Sequence, residues 1–157
     1  MKINIPITKT FFDNDEKEKI LKPLETGWVV QGPFVHKFQD KFKEFTKSKH
    51  ALATSNCTTA LHLGLEAMGI TKGDKVIVPS FTWVSSANAV EYTGAEVVFC
   101  DINLKTFNID ETKIEKLIES DQKIKAIMPV NLFGLCANMP SIMKIAKDYK
   151  LKVIEDS

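Results

Sequence analysis

The chain has 157 residues, 44% apolar and 26% charged, with a formal net charge of +1; that suffices for one domain with a real core and excludes a bulk field that recruits nucleic acid or a membrane. Its three cysteines, Cys57, Cys100 and Cys136, are odd in number, widely spaced and in no CxxC, which argues against a disulfide framework or a zinc site and for a reducing, cytoplasmic compartment. No apolar leader follows Met1-Lys2 and no run approaches a membrane span.

Residues 1–13 read as an irregular arm in which Ile3, Ile5 and Ile7 alternate with Lys2, Asn4 and Pro6. Pro6 confines any strand there to an edge. A helix is expected over 14–26, capped by Asp13 or Asn14, with Glu16, Lys17, Glu18 and Lys19 on its wet face. Pro23 either ends or kinks it. Gly27-Trp28-Val29-Val30-Gln31-Gly32-Pro33 is a loop marked by glycine and proline. Its apolar side chains either line a partner surface or lie under the domain's own edge.

Phe34 to Lys47 has the period of an amphipathic helix, with Phe34, Phe38, Phe42 and Phe45 on one side and Lys37, Asp40, Lys41, Lys43 and Glu44 on the other. The phenylalanine stripe is expected to be core, and the lysines a solvated face. His36 and His50 have no companion ligands and read as structural, and His62 reads as a packed histidine.

His50-Ala51-Leu52-Ala53 reads as a short buried strand, and Ala60, Leu61, Leu63, Leu65, Ala67 and Met68 suit a largely buried helix. Between them runs the small polar stretch Thr54-Ser55-Asn56-Cys57-Thr58-Thr59. A strand, a small polar turn and a helix start make an anion site, because the first helical N–H groups lack internal partners and the helix dipole favours negative charge. The plainer reading is an N-cap by Ser55, Asn56 or Thr58, and the stretch alone favours it.

From residue 69 the pattern is regular. Lys75-Val76-Ile77-Val78-Pro79 is a β-branched run typical of a buried parallel strand. A helix is expected over Thr82 to Tyr92, capped by Ser80 or Thr82 and ended by Gly94. Glu96 to Asp101 is the next strand, and Asp110 caps a helix with Ile114, Leu117 and Ile118 on its apolar face. Ile124 to Val130 is a third strand. Pro140 then opens a helix with Ile142, Met143, Ile145 and Ala146 inward, and Leu151 to Ser157 closes the chain. Strands alternating with helices predict an α/β layer with a mainly parallel sheet.

Ligands of open α/β sheets sit beyond the carboxyl ends of the strands. The turn at 54–59, Trp83, Asn131 and Asp156 all fall at such ends, so a phosphate cup, an aromatic plate and a carboxylate are expected on one edge. There is no GxxxxGK and no GxGxxG, so this is neither a Walker loop nor a dinucleotide fingerprint. The last strand stops at Asp156-Ser157 with nothing following to complete the sheet, so the chain is expected to be a fragment of a longer protein.

Several blocks in order carry a resemblance. They are Gly32-Pro33 with Phe38, Ser55 to Leu61, Gly73 to Trp83, Gly94 to Ile102, Pro129-Val130-Asn131-Leu132-Phe133-Gly134 and Val153 to Ser157. Together they resemble the DegT/DnrJ/EryC1/StrS family of pyridoxal-phosphate (PLP) nucleotide-sugar aminotransferases over nearly the whole chain. The resemblance implies the three-layer α/β/α large domain of fold-type I PLP enzymes, truncated: residues 1–33 would be an arm, helix and loop, and 34–157 the α/β core.

The same resemblance implies the site. Thr58 and Thr59 bind the cofactor phosphate, Trp83 stacks on the pyridine ring, and Asp156 accepts a hydrogen bond from the ring nitrogen and keeps it protonated, making the cofactor a better electron sink. Apart from the resemblance, Trp83 also reads as a core tryptophan and Asp156 as a helix cap. Asn131 stands where many relatives carry histidine and is a candidate for substrate contact. Cys57 replaces a usual glycine, and Ser157 a usual alanine. The lysine that holds the cofactor aldehyde as a Schiff base lies beyond Ser157, so no catalytic residue is assigned here and the isolated 157-residue chain is expected to be inactive.

The implied reaction moves an amino group from glutamate to a nucleotide-linked keto-sugar, for surface polysaccharide or another glycan, in a homodimer whose contact region includes 27–33. The rivals are a PLP-dependent keto-sugar dehydratase, with histidine in the lysine's place, a non-catalytic protein of the same fold, and a plain nucleotide-binding α/β module.

Overall fold

The computed structural model describes residue 6 and residues 9–157; the alternating Ile3, Ile5 and Ile7 lie outside that range. The chain divides into two compact units, Met1–Ala53 and Thr54–Ser157.

The first unit carries two helices, α1 (Asn14–Thr26) and α2 (Pro33–Thr46). Asp13 caps α1 with a capping box: its carboxylate accepts from the Asp15 amide at 2.8 Å, and the Glu16 carboxylate accepts from the Asp13 amide at 2.8 Å. Pro23 neither ends the helix nor stops its last turn. α1 runs on to Thr26 and closes at Gly27, whose φ of 69° suits a left-handed cap. In the following loop the Trp28 indole donates to Gln31 O at 2.9 Å. A Cβ at Gly32 would sit 2.2 Å from the Trp28 Nε1, so only glycine fits beneath that ring. Pro33 then starts α2 at its first position.

The expected burial of the phenylalanine stripe does not hold in this structure. Phe34, Phe38, Phe42 and Phe45 are 45–86% exposed, and α2 buries no residue. The period formed the helix, but a two-helix unit supplies no second layer to cover a stripe of that length. The strand expected at His50–Ala53 is also absent. The segment is irregular, Leu52 is exposed, and the Ala53 amide donates to the Gln39 side chain at 2.9 Å. Apolar residues without a ladder partner do not make a strand.

The second unit is a four-stranded, all-parallel sheet in the order β2-β1-β3-β4, formed by β1 (Lys75–Pro79), β2 (Glu96–Cys100), β3 (Ile124–Ile127) and β4 (Lys152–Val153). Its helices are α3 (Cys57–Ala67), α4 (Val84–Tyr92), α5 (Ile114–Ser120) and α6 (Met139–Asp148). Parallel strands bury both faces, and side chains alternate between them. On one face Val76, Val78, Ala126 and Met128 pack with Leu61 and Leu65 of α3 and Ala89 and Val90 of α4. On the other, Ile77 and Ile127 pack with Ile114 and Ile118 of α5 and Ile142 and Ile145 of α6. Each fully buried Ile, Leu or Val here contributes about 1.5–3 kcal/mol relative to exposure. The three-layer parallel α/β architecture is therefore present.

Local details differ from the pattern. α3 buries one stripe only, Leu61 and Leu65, while Leu63 is 43% exposed; a single sheet face covers a single side of a helix. In α6, Met143 points outward for the same reason. α4 starts two residues later than expected, with Trp83 as N-cap and no side-chain cap. Thr82 is diverted to another partner, described below. Asp110 caps a single 3-10 turn that leads into α5, and β3 and β4 are shorter than the runs that announce them.

Candidate active site

The sheet's parallel order gathers the candidate residues of the second unit. Beyond β3 and β4 the ladder continues as an isolated parallel bridge between Val130 and Asp156. The Asp156 amide donates to Pro129 O at 3.0 Å, and the Asn131 amide donates to Asp156 O at 2.9 Å. Asp156 and Asn131 therefore stand side by side at the carboxyl end of the sheet. A Cβ at Gly64 would lie 2.6 Å from the Ile154 Cδ1, so the absent side chain lets α3 settle close to the strand that carries Asp156.

The polar turn before α3 is built by Asn56. Its Oδ1 accepts from the Thr59 amide at 2.9 Å and from the Thr59 hydroxyl at 3.1 Å, a standard N-cap. Thr54 Oγ1 donates to Asn56 O at 2.9 Å and stiffens the approach. Ala60 N bonds back to Asn56 O, so the amides of Cys57 and Thr58 are the first-turn donors with no intrahelical acceptor. The cap and the anion site are thus compatible: the cap takes one donor and leaves its neighbours pointing out of the helix end.

Two adjacent serines of α4 complete the edge, and neither was singled out by sequence reasoning. Ser85 Oγ accepts from Thr58 Oγ1 at 2.9 Å. Ser86 is fully buried, and its hydroxyl donates to Asp156 Oδ2 at 2.6 Å. The available signal was weak: two adjacent hydroxyls, Ser85 and Ser86, in the first turn of a short helix. Trp83 is the N-cap of the same helix, its carbonyl accepting from the Ser86 amide at 3.1 Å, and its side chain is 77% exposed.

Cys57 sits at the first position of α3, and its thiol approaches Asp156 Oδ1 at 3.6 Å. Burial, followed by the Asp156 charge and this hydrogen bond, pushes the thiol pKa up, so it acts here as a weak S–H donor. Asn131 is engaged on both sides: its amide donates to Ser157 Oγ at 2.9 Å and to Glu155 Oε2 at 3.2 Å, and its oxygen accepts from the Ala137 amide at 2.9 Å. Both N–H groups are spent within the chain, and a remaining oxygen lone pair is what it can offer a ligand. Buried Asn108, also missed from sequence, donates to Leu135 O at 2.9 Å and accepts from the Leu132 amide at 3.2 Å, shaping the loop after Asn131. His62 is half-buried, stacks edge-on to Tyr92 with centroids 5.6 Å apart, and lies 3.5 Å from Glu66.

The structure thus joins Thr58, Asp156 and Asn131 through α4 and the strand ends, and sets Trp83 at the head of that helix. Thr59 is held inside the cap. A parallel α/β layer with a carboxylate, free helix-start amides and hydroxyls at the carboxyl ends of its strands is the ligand-binding class of open α/β protein. No helix among the described residues is long and apolar enough to cross a membrane.

The chain belongs to the DegT/DnrJ/EryC1/StrS aminotransferase family, whose model matches residues 11–157. It is 44% identical over 154 residues to the GDP-perosamine synthase of Caulobacter vibrioides, an alignment covering 98% of this chain and 41% of that protein. Among solved structures, NtdA from Bacillus subtilis with bound cofactor PMP matches with a TM-score of 0.86 at 38% identity, over 98% of this chain and 37% of the other. GDP-4-keto-6-deoxy-D-mannose-3-dehydratase of E. coli, with bound hydrated PLP, matches with a TM-score of 0.88 at 29% identity, over 100% of this chain and 41% of the other. The chain therefore spans about two fifths of the length of the relatives it matches.

Proposed function

We propose that the protein containing this chain is a PLP-dependent aminotransferase that moves an amino group from glutamate to the carbonyl of a nucleotide-linked keto-sugar, in the synthesis of a surface polysaccharide or other glycan. Residues 1–157 are then part of its PLP-binding large domain, with 1–33 as arm, helix and loop and 34–157 as α/β core. The lysine that anchors the cofactor lies beyond Ser157, so the 157-residue chain alone does not turn over substrate.

The observation that carries this reading is the Asp156 carboxylate, held by buried Ser86 at the strand ends. Cys57 is the only other side-chain partner of Asp156 among the described residues, and it is a soft one, so the carboxylate retains acceptor capacity for a cationic N–H. The unpaired amides of Cys57 and Thr58 suit a phosphate. These residues fit PLP. When bound, PLP supplies an electron sink for the carbanion formed at the amine-bearing carbon. Asp156 holds the ring N–H, Thr58 holds the phosphate at the start of α3, joined by Thr59 when its hydroxyl turns from Asn56, Trp83 offers an aromatic face, and Asn131 contacts the substrate side. Exposed Trp28, Val29 and Val30 in the loop at 27–33 are the proposed contact region of a homodimer. Three unpaired cysteines support a reducing cytoplasm.

The test is an assay of the whole protein, as its gene encodes it, with PLP, glutamate and a GDP-linked keto-sugar. The expected product is the amino sugar, formed with 2-oxoglutarate, and Asp156→Asn is expected to lower kcat/KM about 10- to 100-fold, the range lost with one charge-assisted hydrogen bond. A sugar that loses a hydroxyl without gaining nitrogen overturns the aminotransferase reading in favour of a dehydratase. Absence of both PLP uptake and turnover overturns the enzyme reading.

A further inference from the structure

The carboxylate of Asp156 is held by more than one neighbour, and the proton directions follow from chemistry. Ionised Asp156 is an acceptor only. Ser86 has one hydroxyl proton, and at 2.6 Å from Asp156 Oδ2 that proton lies toward the carboxylate. Ser86 Oγ also lies 2.9 Å from Thr82 Oγ1. With the Ser86 proton committed, Thr82 must donate and Ser86 accept. The result is a directed chain from the Thr82 hydroxyl to Ser86 to Asp156 Oδ2. Bonds aligned in one sense polarise each other, and Ser86 is fully buried, where such a bond is strongest and its loss most felt. The other oxygen, Oδ1, has only the Cys57 thiol, at 3.6 Å, as a hydrogen-bond partner among the described residues. The two oxygens of one carboxylate are therefore unequal, one saturated by a hydroxyl chain and one left to a weak donor.

We propose that Ser86, backed by Thr82, is a positioning residue that ties down Asp156 Oδ2 and leaves Oδ1 as the oxygen that receives the cofactor's ring N–H. This rests on the PLP reading above. It also accounts for the late start of α4: Thr82 does not cap the helix because its hydroxyl serves Ser86. Both residues act through Asp156.

The experiment uses the whole protein and two ligands, PLP and its carbocyclic analogue in which the ring nitrogen is replaced by CH. The analogue keeps the phosphate, aldehyde and ring but has no N–H for Asp156. Affinities are read by calorimetry for wild type, Ser86→Ala, Ser86→Thr and Thr82→Val. Ser86→Ala is expected to weaken PLP on the order of tenfold, the change one charge-assisted hydrogen bond carries, and to leave the analogue within about twofold, the scatter expected of a site that has lost no partner. Ser86→Thr restores the hydroxyl and is expected to restore PLP affinity. Thr82→Val removes the first donor at nearly constant shape and is expected to give a smaller loss, again for PLP alone. If Ser86→Ala weakens both ligands alike, or neither, the positioning role is overturned while the PLP reading stands. If wild type takes up neither ligand, the PLP reading itself fails, and this proposal with it.

Discussion

Thr58 Oγ1 donates a 2.9 Å hydrogen bond to Ser85 Oγ, joining the first turn of α3 to the first turn of α4. One position further along α4, Ser86 donates to Asp156. Two consecutive serines therefore connect the helix start that can bind an anion with the strand end that carries the carboxylate. The spacing between those two features is set by a helix turn, not by a loop.

Breaking the first link tests both roles of Thr58. Thr58→Val keeps the β-branched shape and removes the hydroxyl. It is expected to lower stability by about 1 kcal/mol, the net value of one such hydrogen bond, seen as a lower urea midpoint with an unchanged m-value. Phosphate-bearing cofactor is expected to bind more weakly in the same variant.

The cap residue allows charge to be tested apart from structure. Asn56→Ala removes the acceptor for the Thr59 amide and is expected to cost about 1 kcal/mol in denaturation. Asn56→Asp keeps the acceptor and suits the helix dipole, so its stability is expected to match wild type. It also sets a negative charge beside the anion site, so its PLP affinity is expected to fall, more at low than at high salt.

Cysteine reactivity provides a map of burial. Cys100 is buried against the sheet, and burial pushes its thiol up to about 11, with Asp110 and Asp101 adding in the same sense. Cys57 and Cys136 are both exposed, but partial burial of the Cys57 thiol and then the Asp156 charge raise its pKa. Since thiolate is the nucleophile, iodoacetamide near neutral pH is expected to label Cys136 fastest, Cys57 slowly and Cys100 only on unfolding. Peptide mass spectrometry of a timed series reads the order. Bound PLP is expected to slow Cys57 further.

At the opposite end of the strands, Lys75 pairs with Asp121 at 2.9 Å and Glu96 at 3.0 Å. The Lys75 hydrogen bond is the main cause that lowers the Asp121 pKa below its ordinary 3.8, and the Asp121 bond is the main cause that raises Lys75 above 10.5. For the depressed carboxyl, stabilisation is present above 3.8 and is lost as pH falls through the folded value; for the raised amine, it is present below 10.5 and is lost as pH rises through the folded value. Lys75→Met is expected to lower the urea midpoint in the neutral range. The gap to wild type is expected to close as the acid limb is descended below 3.8.

What was legible from sequence is local. The β-branched run of β1, a cap at Asp13 or Asn14, a cap at Ser55, Asn56 or Thr58 and the alternation of strands with helices depend on contacts within a few residues, which pattern and propensity report directly; the choice of Asp13 and of Asn56, and Pro33 as the first residue of α2 rather than the last of the loop, came from the structure. The small polar turn and Asp156 at a strand end could be placed on one edge because parallel sheets align their carboxyl ends. Tertiary structure alone decided which side chains meet there. Ser86 and Asp156 are 70 residues apart, and their contact follows from the order β2-β1-β3-β4 and from the close approach of α3 to Ile154 at Gly64, neither of which has a local signature. Burial failed as a forecast for the same reason. Leu63, Met143 and the phenylalanines of α2 have the composition of a core, yet a side chain is buried only when another layer covers it, and that depends on packing across the chain.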